Sequence, residues 1–427
     1  MNREIVVRPQ WLHRVSDSPA GFRAQTSDYS LPVTPVIFFI NKTSGGQRGE
    51  QIYRQLIRLL NPRQVFLLEN DTTIERALNI YSSLVNTRIC ICGGDGTVGW
   101  VLSRLVESFP LLKNPPASIC PLGTGNDLSR VLGWGYQYDP KRFLKMLVQI
   151  PRAQTIPLDR WQVEVQALET TSTTAENETT HGRFFFFRNH PKFIRNADRP
   201  FYENHRTPTK THFFNYMSFG LDAAVVLDFH ARRTLDSTKF TSPFKNKLLY
   251  LNEARKYFRE FALGIGWNLG PYTRLICDGR DFTDSIRSCH SLVLLNITSF
   301  GSGTRPWNSL WTNIIGSSSN IREDDDDDLE KNDIVPSTIT TTTTNETFGP
   351  LEAQNCGDGK IEVLGLSTTQ MALIHLGFPG NRIAQCRQVR IEFTHPMPVH
   401  MDGDPFYLPA SIALHVTHAG QVMVLRK

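Results

Sequence analysis

Between Pro32 and about Ile150 the chain alternates short apolar runs with stretches of helical spacing, and this alternation restricts the fold more than any other feature. PVIFFI (Pro35–Ile40) reads as a buried strand that ends in a Gly/Ser turn. Ile52, Leu56, Leu59 and Leu60 then share one face of a helix predicted over Gly49–Leu60. QVFLL (Gln64–Leu68) is a second strand, and Asp71 is the predicted N-cap of a helix carrying Ile74, Ala77, Leu78, Tyr81 and Val85. RICIC (Arg88–Cys92), a helix over Val98–Val106 and ASIC (Ala117–Cys120) repeat the unit, and Asn126–Leu132 and Pro140–Leu147 add helical turns. Strands and helices joined by short links imply a doubly wound, mainly parallel α/β sheet.

Beyond Pro157 the period changes from helical to alternate. WQVEVQAL (Trp161–Leu168), FNYMSFG, SLVLLNITSF, KIEVLGL, QVRIEFTH and ASIALHVTH are strand signals separated by Gly, Pro and Asp, with one good helix at Leu221–Arg233. This half reads as a mostly antiparallel, β-sandwich-like domain. The expected division is an extension over 1–31, a nucleotide-binding domain over 32–157 and a β-rich domain over 158–427. Polar insertions near 169–180 and 316–348, the second carrying Asp324–Asp328 and Thr340–Thr344, cannot bury a core and read as solvated loops. FFFF (Phe184–Phe187), between Arg183 and Arg188, suits either a membrane-interface contact or a strand paired with WQVEVQAL.

The 427 residues are 40% apolar and 20% charged, and the formal net charge is +5. That balance belongs to a globular chain and argues against nucleic-acid binding, while leaving room for an anionic membrane surface. No run approaches the length of a membrane-spanning helix, and the N-terminus lacks the apolar stretch of a signal peptide. The seven scattered cysteines show no zinc spacing and suit a reducing, cytoplasmic setting.

Two glycine-rich turns follow strands thirty residues apart, Gly93-Gly94-Asp95-Gly96-Thr97 and Gly123-Thr124-Gly125-Asn126-Asp127. In a doubly wound sheet both tips reach the carboxyl edge, where ligands bind. Glycines let backbone N–H groups face an anion and permit positive φ, and the helix that starts after each turn adds its dipole. Thr97 and Thr124 offer hydroxyls to phosphate oxygens, and Asn126 and Asp127 suit a cap that also orients a nucleotide. Asp95 repels phosphate and is assigned to Mg²⁺ or its waters. The turn Asn41-Lys42-Thr43-Ser44-Gly45-Gly46 lines the same edge, and the P-loop pattern with its lysine is absent. A plain strand-to-helix bend explains one such turn far better than it explains two.

GGDGTVGWVL (Gly93–Leu102) with PLGTGNDLSRVLGWG (Pro121–Gly135) resembles the catalytic domain of eukaryotic diacylglycerol kinases. FNYMSFGLDA, FHARR, LNITSFGSGT, DGKIEVLGL, RIAQCRQVRI and PMPVHMDGDPF resemble that family's accessory domain. The GGDGT turn is shared with NAD, sphingosine and ceramide kinases and phosphofructokinases, whereas GTGND with its GWG tail favours diacylglycerol kinase. The resemblance implies ATP and Mg²⁺ as cofactors and transfer of phosphate to the sn-3 hydroxyl of diacylglycerol, giving phosphatidic acid. It also implies an active site in the interdomain cleft and peripheral contact with a membrane. Asn41, Ser44, Gly45, Gly93, Gly94, Gly96, Thr97, Gly123, Thr124, Gly125, Asn126 and Asp127 become the nucleotide-binding set. Asp402 matches the family's aspartate and becomes the general base. Asp404 stands where the family carries glutamate, one methylene shorter. Asp402-Gly403 is equally a hairpin-turn signal. Asp358 resembles a structural Mg²⁺ position of bacterial relatives, and a simple turn suits it as well. Lys42 replaces the usual proline after Asn41, and no cysteine-rich lipid-binding module is in view. A kinase for ceramide or a sphingoid base, and a weakly catalytic lipid-binding scaffold, are the alternatives.

Overall fold

The computed structural model describes residues 3–16, 21–26, 33–109, 114–168, 211–235, 268–307, 351–374 and 377–427. Both polar insertions, FFFF and the acidic run lie outside the described residues. A short antiparallel hairpin, β1 (Leu12–Arg14) and β2 (Phe22–Ala24), precedes the first β-α units. These run β3 (Val36–Ile40), α1 (Ser44–Leu59), β4 (Val65–Leu67), α2 (Asp71–Tyr81), β5 (Arg88–Gly93), α3 (Asp95–Ser108) and β6 (Ala117–Pro121). Strand order is β4-β3-β5-β6, all parallel. Every residue of β3 is buried, as expected where helices cover both faces. Full burial of Phe38 and of Phe39 contributes roughly 1.5–3 kcal/mol each.

Helix boundaries depart from the sequence reading in instructive ways. Asn70, not Asp71, caps α2, its side chain accepting from Thr73 N at 3.1 Å. Asp71 is already helical, and its carboxylate accepts the Trp100 indole N–H from α3. The third helix begins on Asp95 itself rather than at Val98. The first begins at Ser44, but Gly45, Gly46 and Gln47 are left-handed (φ 66°, 67° and 72°), so regular helix starts only after them.

Two further helices, α4 (Asp127–Val131) and α5 (Pro140–Gln149), lead to the long strand β7 (Gln154–Ala167), which passes unbroken through residue 157. Then come β8 (His212–Phe213), β9 (Tyr216–Gly220), α6 (Leu221–Leu235), β10 (Thr273–Cys277), β11 (Arg280–Asp281) and β12 (Ser291–Leu295). The last group is β13 (Ile361–Leu366), α7 (Thr368–Leu373), β14 (Asn381–Cys386), β15 (Gln388–Phe393), β16 (Met397–Met401), β17 (Asp404–Leu408) and β18 (Ile412–Arg426). Six strands form an antiparallel sheet in the order β14-β13-β12-β9-β16-β17. It faces an antiparallel arm made by β7, β18, β15 and β10, with Trp161, Met217, Phe219, Leu292, Phe393 and Leu414 in the core between them. This is the expected sandwich.

The arm and the parallel sheet are one continuous sheet. β18 pairs with β15 and β7 through its first half, then shifts register between His418 and Gln421 and ends parallel to β6, Val424 opposite Ala117. A bulge bends a strand, and this one redirects the tail from one half of the molecule to the other. Asp159, fully buried on β7, fixes the bend by accepting from His418 Nε2 and Gln421 Nε2, both at 2.9 Å. The tail then holds the glycine-rich segment: Trp134 Nε1 donates to Leu425 O at 2.6 Å and Lys427 N to Leu132 O at 2.9 Å.

Candidate active site

The two glycine-rich turns meet backbone to backbone. A Cβ placed on Gly123 would stand 2.6 Å from Gly94 Cα, and one on Gly94 2.9 Å from Gly123 Cα. Close approach, not positive φ, demands glycine here: Gly94 has φ −93°, and neither residue is left-handed. A Cβ on Gly93 would strike the Thr97 side chain at 2.5 Å, so this glycine serves packing and is not on the cleft surface. Leu122 N donates to Gly93 O at 2.9 Å and Asn41 N to Cys92 O at 3.0 Å, so the three strand ends lie in register. Asn41 Nδ2 donates to Thr97 Oγ1 at 2.9 Å. The left-handed run Gly45–Gln47 supplies the concave backbone that suits an anion. It closes on the second turn, since a Cβ on Gly45 would lie 3.0 Å from Leu122 O.

Asn126 neither caps α4 nor reaches the cleft. Left-handed at φ 54°, it accepts from Gly123 N and donates to Gly123 O and Tyr136 O, each within 2.9 Å, and so clasps its own loop. The cap comes from the other turn. Asp95 Oδ2 accepts from Asp127 N at 3.1 Å and Oδ1 from Leu128 N at 3.2 Å, while Asn215 Nδ2 donates to Oδ1 at 3.2 Å. Asp95 thus ties both turns to the accessory half. Asp127 ties them a second time. Its oxygens accept from Ser299 Oγ at 2.5 Å, Gly303 N at 2.8 Å, Ser302 N at 3.0 Å and Tyr216 Oη at 3.3 Å.

Across the cleft, Asp402 and Gly403 (φ 46° and 83°) form the two-residue turn between β16 and β17. The hairpin reading holds, and the same two residues line the cavity. Asp402 Oδ1 accepts from Asn215 N at 2.8 Å and Tyr216 N at 3.1 Å, and Oδ2 from Phe214 N at 2.8 Å. The carboxylate that heads the hairpin is thus also the clamp that attaches it to the β8–β9 segment.

These elements enclose a cavity of about 430 Å³. Of the nucleotide-binding candidates, Asn41, Ser44, Gly45, Gly94, Gly96, Thr97, Gly123, Thr124, Gly125 and Asp127 line it, and Gly93 and Asn126 stand behind it. Four carboxylates line it too, Asp95, Asp127, Asp402 and Asp404, with His230 from α6 and no lysine or arginine among the described lining residues. Burial, then the neighbouring Asp127 and more distantly Asp402, push Asp95 up to about 7. Burial first and Asp127 second raise the Tyr216 phenol. A cavity so acidic admits a polyphosphate only together with cations, and Mg²⁺ fits. No three His, Cys, Asp or Glu side chains among the described residues form a ready cage.

Asp358 is not brought to this cavity; its Oδ1 accepts from Lys360 N at 2.9 Å in a local turn. Asn215, Tyr216, Ser299, Ser302, Phe229 and His230 belong to the site and escaped the sequence reading. FNYMSFG and LNITSFGSGT read as strands, and nothing local says that Ser299 will reach an aspartate 172 residues earlier.

Comparison with known proteins bears on these two walls. Residues 35–163 match the diacylglycerol kinase catalytic domain and residues 212–405 the diacylglycerol kinase accessory domain. Diacylglycerol kinase zeta of Homo sapiens is 34% identical over 379 residues, 88% of this chain and 34% of that protein. The eye-specific diacylglycerol kinase of Drosophila melanogaster is 33% identical over 402 residues, 93% of this chain and 23% of that protein. The chain thus spans about a third or less of these relatives. A Bacillus anthracis diacylglycerol kinase structure is 12% identical with a TM-score of 0.47, covering 92% of this chain and 97% of that one.

Proposed function

This chain belongs to the diacylglycerol kinase family, and on that premise we propose that it transfers the γ-phosphoryl group of ATP to the sn-3 hydroxyl of diacylglycerol, forming phosphatidic acid and ADP. One observation carries the proposal: two bare turns in backbone contact face the accessory hairpin's carboxylates across one cavity. The turns and the left-handed Gly45–Gln47 run hold the phosphates by backbone N–H groups, which align the chain of phosphates without repelling charge. Asp95 is the residue that would hold Mg²⁺ through its waters, and the ion when bound would supply the neutralising charge that phosphoryl transfer requires. The acceptor oxygen forms a bond to the γ-phosphorus as the bond from that phosphorus to the β-phosphate bridging oxygen breaks.

The hydroxyl proton goes to a hairpin carboxylate. Asp402 already takes three amide hydrogens and shapes the hairpin, which favours Asp404 as the proton acceptor and Asp402 as the residue that presents it. The acceptor lies in a bilayer, so the reading puts this chain in peripheral contact with a membrane surface; no helix among the described residues is long and apolar enough to cross one.

Labelled ATP with diacylglycerol, ceramide and sphingosine vesicles tests the reading. Phosphatidic acid is the expected product. Label in the sphingoid lipids alone would replace the substrate, and nucleotide binding without turnover at saturating Mg²⁺ would replace the activity. Asp404→Asn is expected to lower kcat roughly 100-fold, the typical scale of a lost general base.

A further inference from the structure

His400 stands two residues before the hairpin carboxylate and is buried. Its Nε2 lies 2.9 Å from Asp222 Oδ2, and Asp222, also buried, sits in the first turn of α6. That helix packs on β16 and β17 and brings Phe229 and His230 to the cavity. On β9, Ser218 pairs directly with His400, and the Tyr216 ring stands edge-on to the imidazole, 5.6 Å between centroids at 80°. Tyr216 in turn reaches Asp127 through its phenol. His400 Nδ1 has no hydrogen-bond partner, so only the Nε2 side of the ring does polar work.

We propose that His400 is a positioning residue for phosphoryl transfer: through Nε2 it locks α6 to the β16–β17 hairpin and so fixes where Asp402 and Asp404 stand relative to the opposite turns. A histidine whose second nitrogen is buried without a partner is a costly way to fill space, since an unpaired buried polar atom costs free energy that an aliphatic side chain would avoid. The Asp222 bond offsets that cost and ties the two elements in one register, which an aliphatic side chain could not do. The inference rests on the kinase reading for its kinetic arm and on the fold alone for its other arm.

Two substitutions separate the ring's nitrogens. His400→Gln carries an amide donor where Nε2 was, and His400→Asn carries one where Nδ1 was, out of reach of Asp222. In the Asn variant kcat is expected to fall roughly tenfold or more, the scale of an acceptor group displaced by a fraction of an ångström, while KM for ATP stays within about twofold. The Gln variant recovers most of the rate. Hydrogen exchange read on Asp222–Phe229 and Met397–Leu408 accelerates in the Asn variant and not in the Gln variant, with or without turnover. Equal behaviour of the two variants in exchange overturns the lock even if the chain proves to phosphorylate another lipid. A wild-type kcat in the Asn variant overturns the positioning role.

Discussion

On one side of the cavity Gly94 and Gly123 touch through bare backbone, and any side chain there would part them. On the other side Asp402 holds the hairpin by a side chain that collects three amide hydrogens, and no smaller residue could do so. On the proposed reading, the first wall follows the phosphates of a flexible anion, so it presents N–H groups and leaves out bulk. On the same reading the second places one oxygen near a reacting hydroxyl, so it builds outward from an over-determined carboxylate. The acidic side chains stand on both walls, Asp95 and Asp127 on the first and Asp402 and Asp404 on the second, so on the proposed reading the anion enters with the cations that offset them.

The largest effect expected from breaking this contrast comes from Asp402→Ala. It strands the amides of Phe214, Asn215 and Tyr216, and at about 1–3 kcal/mol for each unsatisfied buried donor the loss should reach at least ~3 kcal/mol. Denaturant unfolding measures it, and a loss below about 1 kcal/mol would mean that water replaces the carboxylate at no cost. Next is Gly123→Ala, which forces a contact of 2.6 Å with Gly94 Cα and should cost about 1–3 kcal/mol while weakening ATP binding. Its control is Gly96→Ala, where a Cβ meets nothing within 4 Å and the unfolding free energy should hold within about 0.5 kcal/mol. Equal losses at the two glycines would remove the argument from backbone contact.

A further effect is a pH dependence. Asp95 is held up to about 7, above its unfolded value, by burial and by Asp127. Its contribution to stability is therefore fully present below the ordinary carboxylate range and lost as pH rises through about 7. Thermal midpoints of the metal-free protein should fall between pH 5 and 8, and Mg²⁺ with ATP should flatten the fall. A profile that is level without metal would show that Asp95 carries its charge throughout that range.

Much of the fold was legible because it repeats local rules. RICIC, ASIC and PVIFFI became β5, β6 and β3 since uninterrupted apolar runs between turns suit a sheet covered on both faces. Which carboxylate does what was not legible. Asp95 looked like a metal ligand on an open turn, yet it also caps a helix thirty-two residues away, and Asn126 looked like that cap, yet it closes its own loop. Such assignments depend on distances between segments, and a residue type states only which bonds it is able to make.

What the amino-acid sequence determined by itself was the order of strands and helices, the position of both bare turns and the presence of an Asp-Gly hairpin late in the chain. These follow from side-chain period, chain stiffness and the missing Cβ, all properties of near neighbours. Only the tertiary structure decided that the final strand returns to close the nucleotide sheet, that Asp127 reaches Ser299, and that His400 meets Asp222 behind the hairpin. Each joins residues more than a hundred positions apart, where burial and mutual fit choose the partner and no local preference can.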